Sequence, residues 1–252
     1  IILVNRVQSD EVYWICVALA GQLLAWLVVM SHNFLHKADN WRMYTANLAL
    51  MTSRDLRIQH ILSHHMYPNS YADLEVTYYE PYYKWLPTHT KGWYYRFVTL
   101  LLTINVHFIF FHNTMRLRWQ GFFWGNDRTI FWDEIVMCAV PMVMIIFGGQ
   151  SPSLDYLYDV FFRWVHIMIF TNFLYTIFNI NRGHHAPHLT HQGDEIASYD
   201  FGAYQVSTIN DRPGVNLNIF TILAYQGEQV LHQLFPTIDH ALLPHLKSTL
   251  IK

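Results

Sequence analysis

The apolar run over residues 12–30, VYWICVALAGQLLAWLVVM, constrains the fold more than any other feature of the chain. It contains no charged residue, and a helix of this length can cross roughly 30 Å of hydrocarbon. Hydrophobic residues make up 52% of the chain and charged residues 13%, unlike the composition of an ordinary soluble domain. We therefore predict an integral membrane protein.

Three further apolar stretches cover residues 96–112, 130–149 and 158–181. The last two are joined by GGQSPSLD, whose Gly, Pro and Ser residues are typical of a turn, so the pair predicts a transmembrane hairpin. The opening IILV predicts the end of an earlier span, which would form a first hairpin with residues 12–30. The predicted fold class is an all-α membrane protein, with two transmembrane helical hairpins and a cytoplasmic helical cap around a histidine-rich metal site.

The distribution of basic residues predicts which side of the membrane each segment faces. The connection over residues 149–155 carries no Lys or Arg. Residues 32–96 carry Lys37, Arg42, Arg54, Arg57, Lys84, Lys91 and Arg96. Because basic residues are enriched in cytoplasmic loops, we expect residues 32–96 and 182–252, and with them the histidines, to be cytoplasmic.

Several classes of protein are disfavoured by charge and cysteine content. The net charge is −2 with no basic run, so nucleic acid is not an expected partner. Cys16 and Cys138 both lie in apolar runs and form no CxxC motif, which disfavours disulfides and thiolate metal sites. The chain opens without an initiator Met or a signal-peptide pattern, so we interpret it as a fragment with a region missing upstream.

Histidines are concentrated at the predicted membrane boundaries. In HNFLH, His32 and His36 have the i, i+4 spacing that places two imidazoles on one face of a helix. In HILSHH, His60 and His64 share this spacing, and His65 is expected to point about 100° away, so the trio could serve two metals. Each spacing alone is also compatible with ordinary polar packing.

Two further clusters follow the last apolar stretch. In NINRGHH, Asn181 has the i, i+4 spacing to His185, with His184 beside it. Pro187 is expected to end that helix, which makes the later His188 and His191 less favoured as ligands, and a solvated helix end is the alternative. In GEQVLHQLFP, His232 stands between Gln229 and Gln233.

The four clusters together predict one shared metal site. Imidazole nitrogens suit iron, zinc or copper. If residues 96–112 crossed the membrane, the last cluster-bearing segments would lie about a bilayer thickness from HILSHH, so we predict that this stretch does not cross. Isolated histidines are expected not to be ligands: His89, His107, His112, His166, His240 and His245.

These motifs resemble those of the membrane fatty acid desaturases. HNFLH resembles their first histidine box, QHILSHHMYPN their second, and QVLHQLFPTID the QxxHHLFP box of front-end desaturases. Residues 1–252 are therefore interpreted as a single desaturase-like domain. Among relatives, the combination resembles the insect cytochrome b5-related proteins, in which a haem domain precedes such a region, although no HPGG haem motif occurs in this chain.

The resemblance implies four transmembrane helices and a di-iron centre in the endoplasmic reticulum membrane. It implies a fatty acyl lipid or acyl-CoA substrate, dioxygen, and electrons from cytochrome b5 or its reductase. The metal ligands that it implies are His32, His36, His60, His64, His65, Asn181, His185, Gln229 and His232. Gln233 departs from the family pattern, which has a histidine there, so either His184 or His188 replaces that ligand or one metal binds weakly.

Three functions remain open from the sequence beside oxygen-dependent desaturation of acyl chains. A fatty acyl hydroxylase would use the same scaffold. A non-enzymatic desaturase-like protein that binds lipid or metal is motivated by Gln233. A zinc hydrolase is disfavoured, because such sites keep three protein ligands and an open water position, far fewer ligands than this sequence offers.

Overall fold

A computed structural model describes residues 1–77, 84, 86, 90–125, 131–179, 183–184, 186–195, 200–211, 218, 220–222 and 226–250. Every regular element in these ranges is helical, and the ranges contain no strand. The α-helices are α1 (Ile2–Arg6), α2 (Asp10–Leu35), α3 (Ser53–Leu56), α4 (Leu74–Thr77), α5 (Trp93–Trp124), α6 (Ala139–Phe147), α7 (Leu154–Asn179), α8 (Phe201–Ser207), α9 (Gln229–Leu234) and α10 (Leu243–Leu250). Two 3₁₀ helices cover Trp41–Ala49 and Trp132–Cys138, and a π-helix covers Arg57–His64.

Helices α2 and α7 form the centre of the structure and run parallel. Near the beginning of α2, the Tyr13 hydroxyl lies 2.7 Å from Nδ1 of His166, which is in the middle of α7. Further along, Gly21 lets the backbones approach, because a Cβ atom there would lie 2.8 Å from Phe170 Cβ. Both helices therefore end on the same side of the molecule, where the first histidine pair and His184 lie.

The described part of the chain contains two helices long and apolar enough to cross a membrane. They are Asp10–Leu35 and Leu154–Phe178, which contain 18-residue stretches with mean hydropathies of 2.1 and 1.3. The first includes the whole predicted run over residues 12–30. Of the four predicted spans, two therefore correspond to such helices among the described residues, and the arrangement in two hairpins stays a prediction.

The predicted span over residues 130–149 is not one continuous α-helix. It divides into the 3₁₀ helix Trp132–Cys138 and α6, which has 9 residues. Pro141 lies in the first turn of α6, where its missing N–H is tolerated, but its ring would clash with the carbonyl of an α-helical residue four positions earlier. The opening segment forms only the 5-residue α1, which is anchored to α6 by the Asn5 side-chain amide donating to the Met144 carbonyl at 2.7 Å.

Helix α5 extends beyond the predicted stretch of residues 96–112 to 32 residues. It runs antiparallel to α7, and polar contacts join the two helices. The Phe111 N–H donates to Asn172 Oδ1 at 2.8 Å, and the Thr176 hydroxyl donates to the His107 carbonyl at 3.1 Å. That this stretch does not cross the membrane, as one shared histidine site requires, stays a prediction.

His60 and His64 of the second histidine box lie in the π-helix Arg57–His64. The π-helix differs from the α-helix that the spacing of His60 and His64 predicts. Its wider turn is closed by the His65 N–H donating to the His60 carbonyl at 2.9 Å. Because residues five apart lie about 140° apart on an α-helix but on one face of a π-helical turn, His65 comes beside His60 instead of pointing away from it.

Candidate metal centre

Five imidazoles from three segments meet at the end of α2. The Nε2 atoms of His32 and His60 lie 2.6 Å apart, those of His32 and His36 3.4 Å, and those of His60 and His65 3.0 Å. The His232 ring centroid lies 4.9 Å from that of His65. Nitrogens bound to one transition metal at about 2.0–2.1 Å are themselves about 3 Å apart, so these separations fit ligands of a shared ion.

Four members of this cluster are close enough together to hold one metal ion. One ligand nitrogen from each of His32, His36, His60 and His232 lies within 4.8 Å of all the others. The first two come from the C-terminal end of α2, the third from the π-helix and the fourth from α9. All but His36 are buried.

Acceptors behind three of the histidines determine which ring nitrogen faces inward. His60 Nδ1 lies 2.6 Å from Glu75 Oε1, and His64 Nδ1 lies 2.9 Å from Asp73 Oδ2. His184 Nδ1 lies 3.0 Å from the backbone oxygen of Thr208. Each Nδ1 therefore carries the proton that it donates, and each Nε2 keeps its lone pair, as in metal-ligating histidines whose other nitrogen is held by an acceptor.

His232, which lies on α9, is the most deeply buried member of the cluster. It is 2% exposed, and neither of its ring nitrogens has a hydrogen-bond partner among the described residues. Burial lowers its pKa well below the usual value, and the charges of His240, His32, His65 and His36 lower it further. An uncharged imidazole without a hydrogen bond is costly to bury, and a bound cation would satisfy its lone pair.

His36 is also held in the neutral form. Its pKa is lowered to about 4, chiefly by burial; the charge of Glu75 opposes the shift, and His64 and Arg57 add to it. Its lone pair is therefore free of a proton at neutral pH, which is the state that binds a metal.

His64 and His184 form a second locus on the far side of His60. The rings of His64 and His184 are 4.5 Å apart and nearly perpendicular. His60, His64 and Glu75 also group closely enough to be considered as ligands. We interpret Glu75 there as a hydrogen-bond acceptor, because the nitrogens that face it are the Nδ1 atoms.

The remaining predicted site residues have different environments. Asn181 and His185 lie outside the described residues. Gln229 is buried, and its amide donates to the Gln226 carbonyl at 3.0 Å. His188 does not fill the position that Gln233 vacates, because its Nε2 lies 2.6 Å from the Asn210 amide nitrogen at the surface.

Gln233 itself takes part in a hydrogen-bonded chain. Its Nε2 donates to Gln205 Oε1 at 2.7 Å, and Gln205 Nε2 donates to the backbone oxygen of His65 at 3.0 Å. Both glutamines are buried. The amide thus links α9 to α8 and to the end of the π-helix.

Sequence reasoning missed His240, which it set apart as an isolated histidine. His240 is 2% exposed, and its ring stacks on that of His232 with centroids 4.3 Å apart. Its Nε2 lies 3.3 Å from His32 Nδ1. It also missed the acceptors Glu75 and Asp73, whose only sequence signal is a pair of carboxylates soon after the second histidine box.

Fold and site together define a helical protein with a buried histidine cluster that could hold metal, and with two helices that could cross a membrane. The chain is similar to the "Cytochrome b5-related protein" of Drosophila melanogaster, with 34% identity over 236 residues. The match covers 92% of this chain and 53% of that protein, so the chain spans about half the length of its relative. This agrees with the resemblance to insect cytochrome b5-related proteins.

No protein-family model matches the chain, and no solved structure matches it. The likeness to fatty acid desaturases therefore rests on the histidine motifs of the sequence.

Proposed function

We propose that the chain is a membrane lipid oxidoreductase that desaturates fatty acyl chains at a histidine-ligated di-iron centre. The observation that carries this proposal is the convergence of Nε2 atoms from His32, His36, His60 and His65 at separations of 2.6–3.4 Å. Buried imidazoles with oriented lone pairs are a donor set suited to a first-row transition metal.

The donors fall into two neighbouring groups that suit two ions. His32, His36, His65 and His232 surround one position, His64 and His184 flank the other, and His60 lies between the groups. Asn181 and His185 would complete the set as the family motif implies. Iron bound there would supply the activation of dioxygen that an unactivated C–H bond requires.

The residues of this chain would orient the ligands and exclude water. Glu75 and Asp73 hold the protons of His60 and His64 away from the ligand position. Burial of His32, His60 and His232 keeps bulk water from the site, which protects reactive intermediates. The long α2 and α7 would place the cluster at the cytoplasmic boundary of the endoplasmic reticulum membrane, where an acyl chain or acyl-CoA can approach.

The reaction needs an electron donor. A –CH2–CH2– unit, dioxygen, two protons and two electrons give a carbon–carbon double bond and two waters. The relative's name, "Cytochrome b5-related protein", supports cytochrome b5 or its reductase as the donor. We therefore propose that the electrons arrive through a cytochrome b5.

The test is metal content together with product analysis. Purified protein in detergent is assayed for iron per chain and then supplied with an acyl substrate, dioxygen and a b5-type reductant. Two irons and a double-bonded product support the proposal, whereas a hydroxylated product supports the hydroxylase. His64→Ala should lose iron and activity, and the surface variant His188→Ala should retain both.

A non-enzymatic metal- or lipid-binding role is the second candidate, and Gln233 favours it. An amide that donates to Gln205 takes the place of an imidazole in the last box. Wild-type protein that binds one ion or none and oxidises no acyl chain would establish this candidate and overturn the enzymatic one.

A further inference from the structure

The Nδ1 atom of His32, at the centre of the cluster, contacts another imidazole. Its Nε2 faces inward, 2.6 Å from His60 Nε2 and 3.4 Å from His36 Nε2. Its Nδ1 faces the opposite way and lies 3.3 Å from His240 Nε2. By contrast, the Nδ1 atoms of His60 and His64 face carboxylates.

His240 is held in place by contacts apart from this one. Its backbone N–H donates to Asn33 Oδ1 at 3.2 Å, which ties the turn between α9 and α10 to the last turn of α2. Its ring stacks on His232 at an interplanar angle of 25°. The side chain is therefore immobilised between two cluster histidines on different helices.

We propose that His240 is a positioning residue that accepts the Nδ1 proton of His32 and so holds the His32 Nε2 lone pair toward the metal. The inference rests on the proposed metal centre. A ligating imidazole needs an acceptor for its other N–H, and replacing such an acceptor typically costs 10–100-fold in metal affinity. His240 fills for His32 the place that Glu75 and Asp73 fill for His60 and His64.

A neutral acceptor has a consequence for the charge of the site. Glu75 and Asp73 each bring a negative charge to the histidine that they orient, whereas a neutral His240 brings none. The helix that carries His32 is the apolar α2, where an additional buried carboxylate would be costly. An imidazole orients the ligand at this position without that cost.

The test compares variants that separate three roles of His240: accepting a hydrogen bond from His32, stacking on His232 and binding the metal directly. His240→Phe retains an aromatic ring against His232 but cannot accept a hydrogen bond. His240→Gln retains an acceptor oxygen. His245→Ala, an exposed histidine on α10, is the matched control. Each full chain in detergent is titrated with Co²⁺ against a competing chelator, and its visible absorption is recorded at saturation.

We expect His240→Phe to bind Co²⁺ 10–100-fold more weakly than wild type. His240→Gln should recover most of that loss, and His245→Ala should bind as wild type. At saturation the Phe variant should show the wild-type absorption bands, because no ligand has been removed. His240→Leu replaces the Phe variant if the latter does not fold.

Two results would overturn the inference. Equal Co²⁺ affinity in wild type and the Phe variant would show that His240 does not support His32. Altered bands at saturation, with no recovery by Gln, would show that His240 is itself a ligand. If the wild-type chain binds no Co²⁺, the proposed metal centre fails as a whole, which is distinct from either result.

Discussion

The side-chain amide of Gln233 donates a hydrogen bond to Gln205 Oε1 at 2.7 Å. Gln205 in turn donates to the backbone oxygen of His65 at 3.0 Å. The residue that departs from the desaturase pattern is thus joined, through one buried glutamine, to the last histidine of the second box. Its position supports a structural role in linking α9 to the π-helix.

Replacing Gln205 should therefore break both hydrogen bonds, the one from Gln233 and the one to His65. Gln205→Leu leaves the Gln233 amide and the His65 carbonyl without this partner, and buried groups that lose a partner cost about 1–3 kcal/mol each. We expect a lower melting temperature and weaker Co²⁺ binding. Gln150→Leu, at an exposed position before α7, is the control and should change neither. An unchanged melting temperature for Gln205→Leu would show that the amide chain does not stabilise the cap.

Removing the carboxylate behind His60 should weaken metal binding without removing a ligand. Glu75 Oε1 lies 2.6 Å from His60 Nδ1. Glu75→Gln keeps an oxygen acceptor but loses the charge, so we expect a loss of about tenfold in Co²⁺ affinity, and a larger loss for Glu75→Ala. Glu195→Gln, on an exposed loop, should bind as wild type. Loss of all binding in the Gln variant would instead indicate that Glu75 is a ligand.

The metal-free protein should lose stability as the pH falls from about 6.5 to about 4. The pKa of His36 is lowered from 6.5 to about 4, and that of His232 is lowered as well, chiefly by burial. The folded state therefore binds fewer protons than the unfolded state in this window, so stability is fully present above it. Melting temperatures of chelator-treated protein across this range provide the measurement. His36→Phe should flatten the dependence, and a flat wild-type curve would contradict the expectation.

The stability of the fold should depend on the side-chain amide group of Asn69. Its Nδ2 donates to the backbone oxygens of His184, Thr190 and Thr208 at 3.0–3.1 Å, and its φ is 57°. Asn69→Asp places a carboxylate against these carbonyls and should destabilise the fold by more than about 1–3 kcal/mol. Asn69→Gly keeps the left-handed backbone and should be less damaging. Thermal unfolding in which the Gly variant is less stable than the Asp variant would contradict the expected repulsion between the carboxylate and the three carbonyls.

Gly21 should not tolerate even a methyl group. A Cβ atom there would lie 2.8 Å from Phe170 Cβ and 3.1 Å from the Thr171 backbone nitrogen, neither of which can move without shifting α7. We expect Gly21→Ala to cost about 1–3 kcal/mol of stability. A Cβ atom at Gly121 on α5 would meet nothing within 4 Å, so Gly121→Ala should be neutral or stabilising. Equal melting temperatures for the two variants would contradict the close approach of α2 and α7.

The sequence by itself determined the features that depend on local pattern. The apolar run over residues 12–30 predicts the long α2, and the i, i+4 spacing of His32 and His36 predicts two imidazoles on one face at its end. Hydrophobic length and helical periodicity are properties of neighbouring residues, so one segment is enough to predict them. For residues 130–149 the apolar run does not say where the segment divides, so the break between the 3₁₀ helix and α6 could not be predicted from it.

Only the tertiary structure decided which side chains meet. Glu75 and Asp73 orient histidines of the second box, Gln233 contacts Gln205, and His240 lies behind His32 although 208 positions separate the two along the chain. The π-helical turn that brings His65 beside His60 depends on packing that helical spacing does not encode. Partners distant in sequence are brought together by the packing of all the helices at once. No single segment carries the information about which nitrogen of a histidine will face the site.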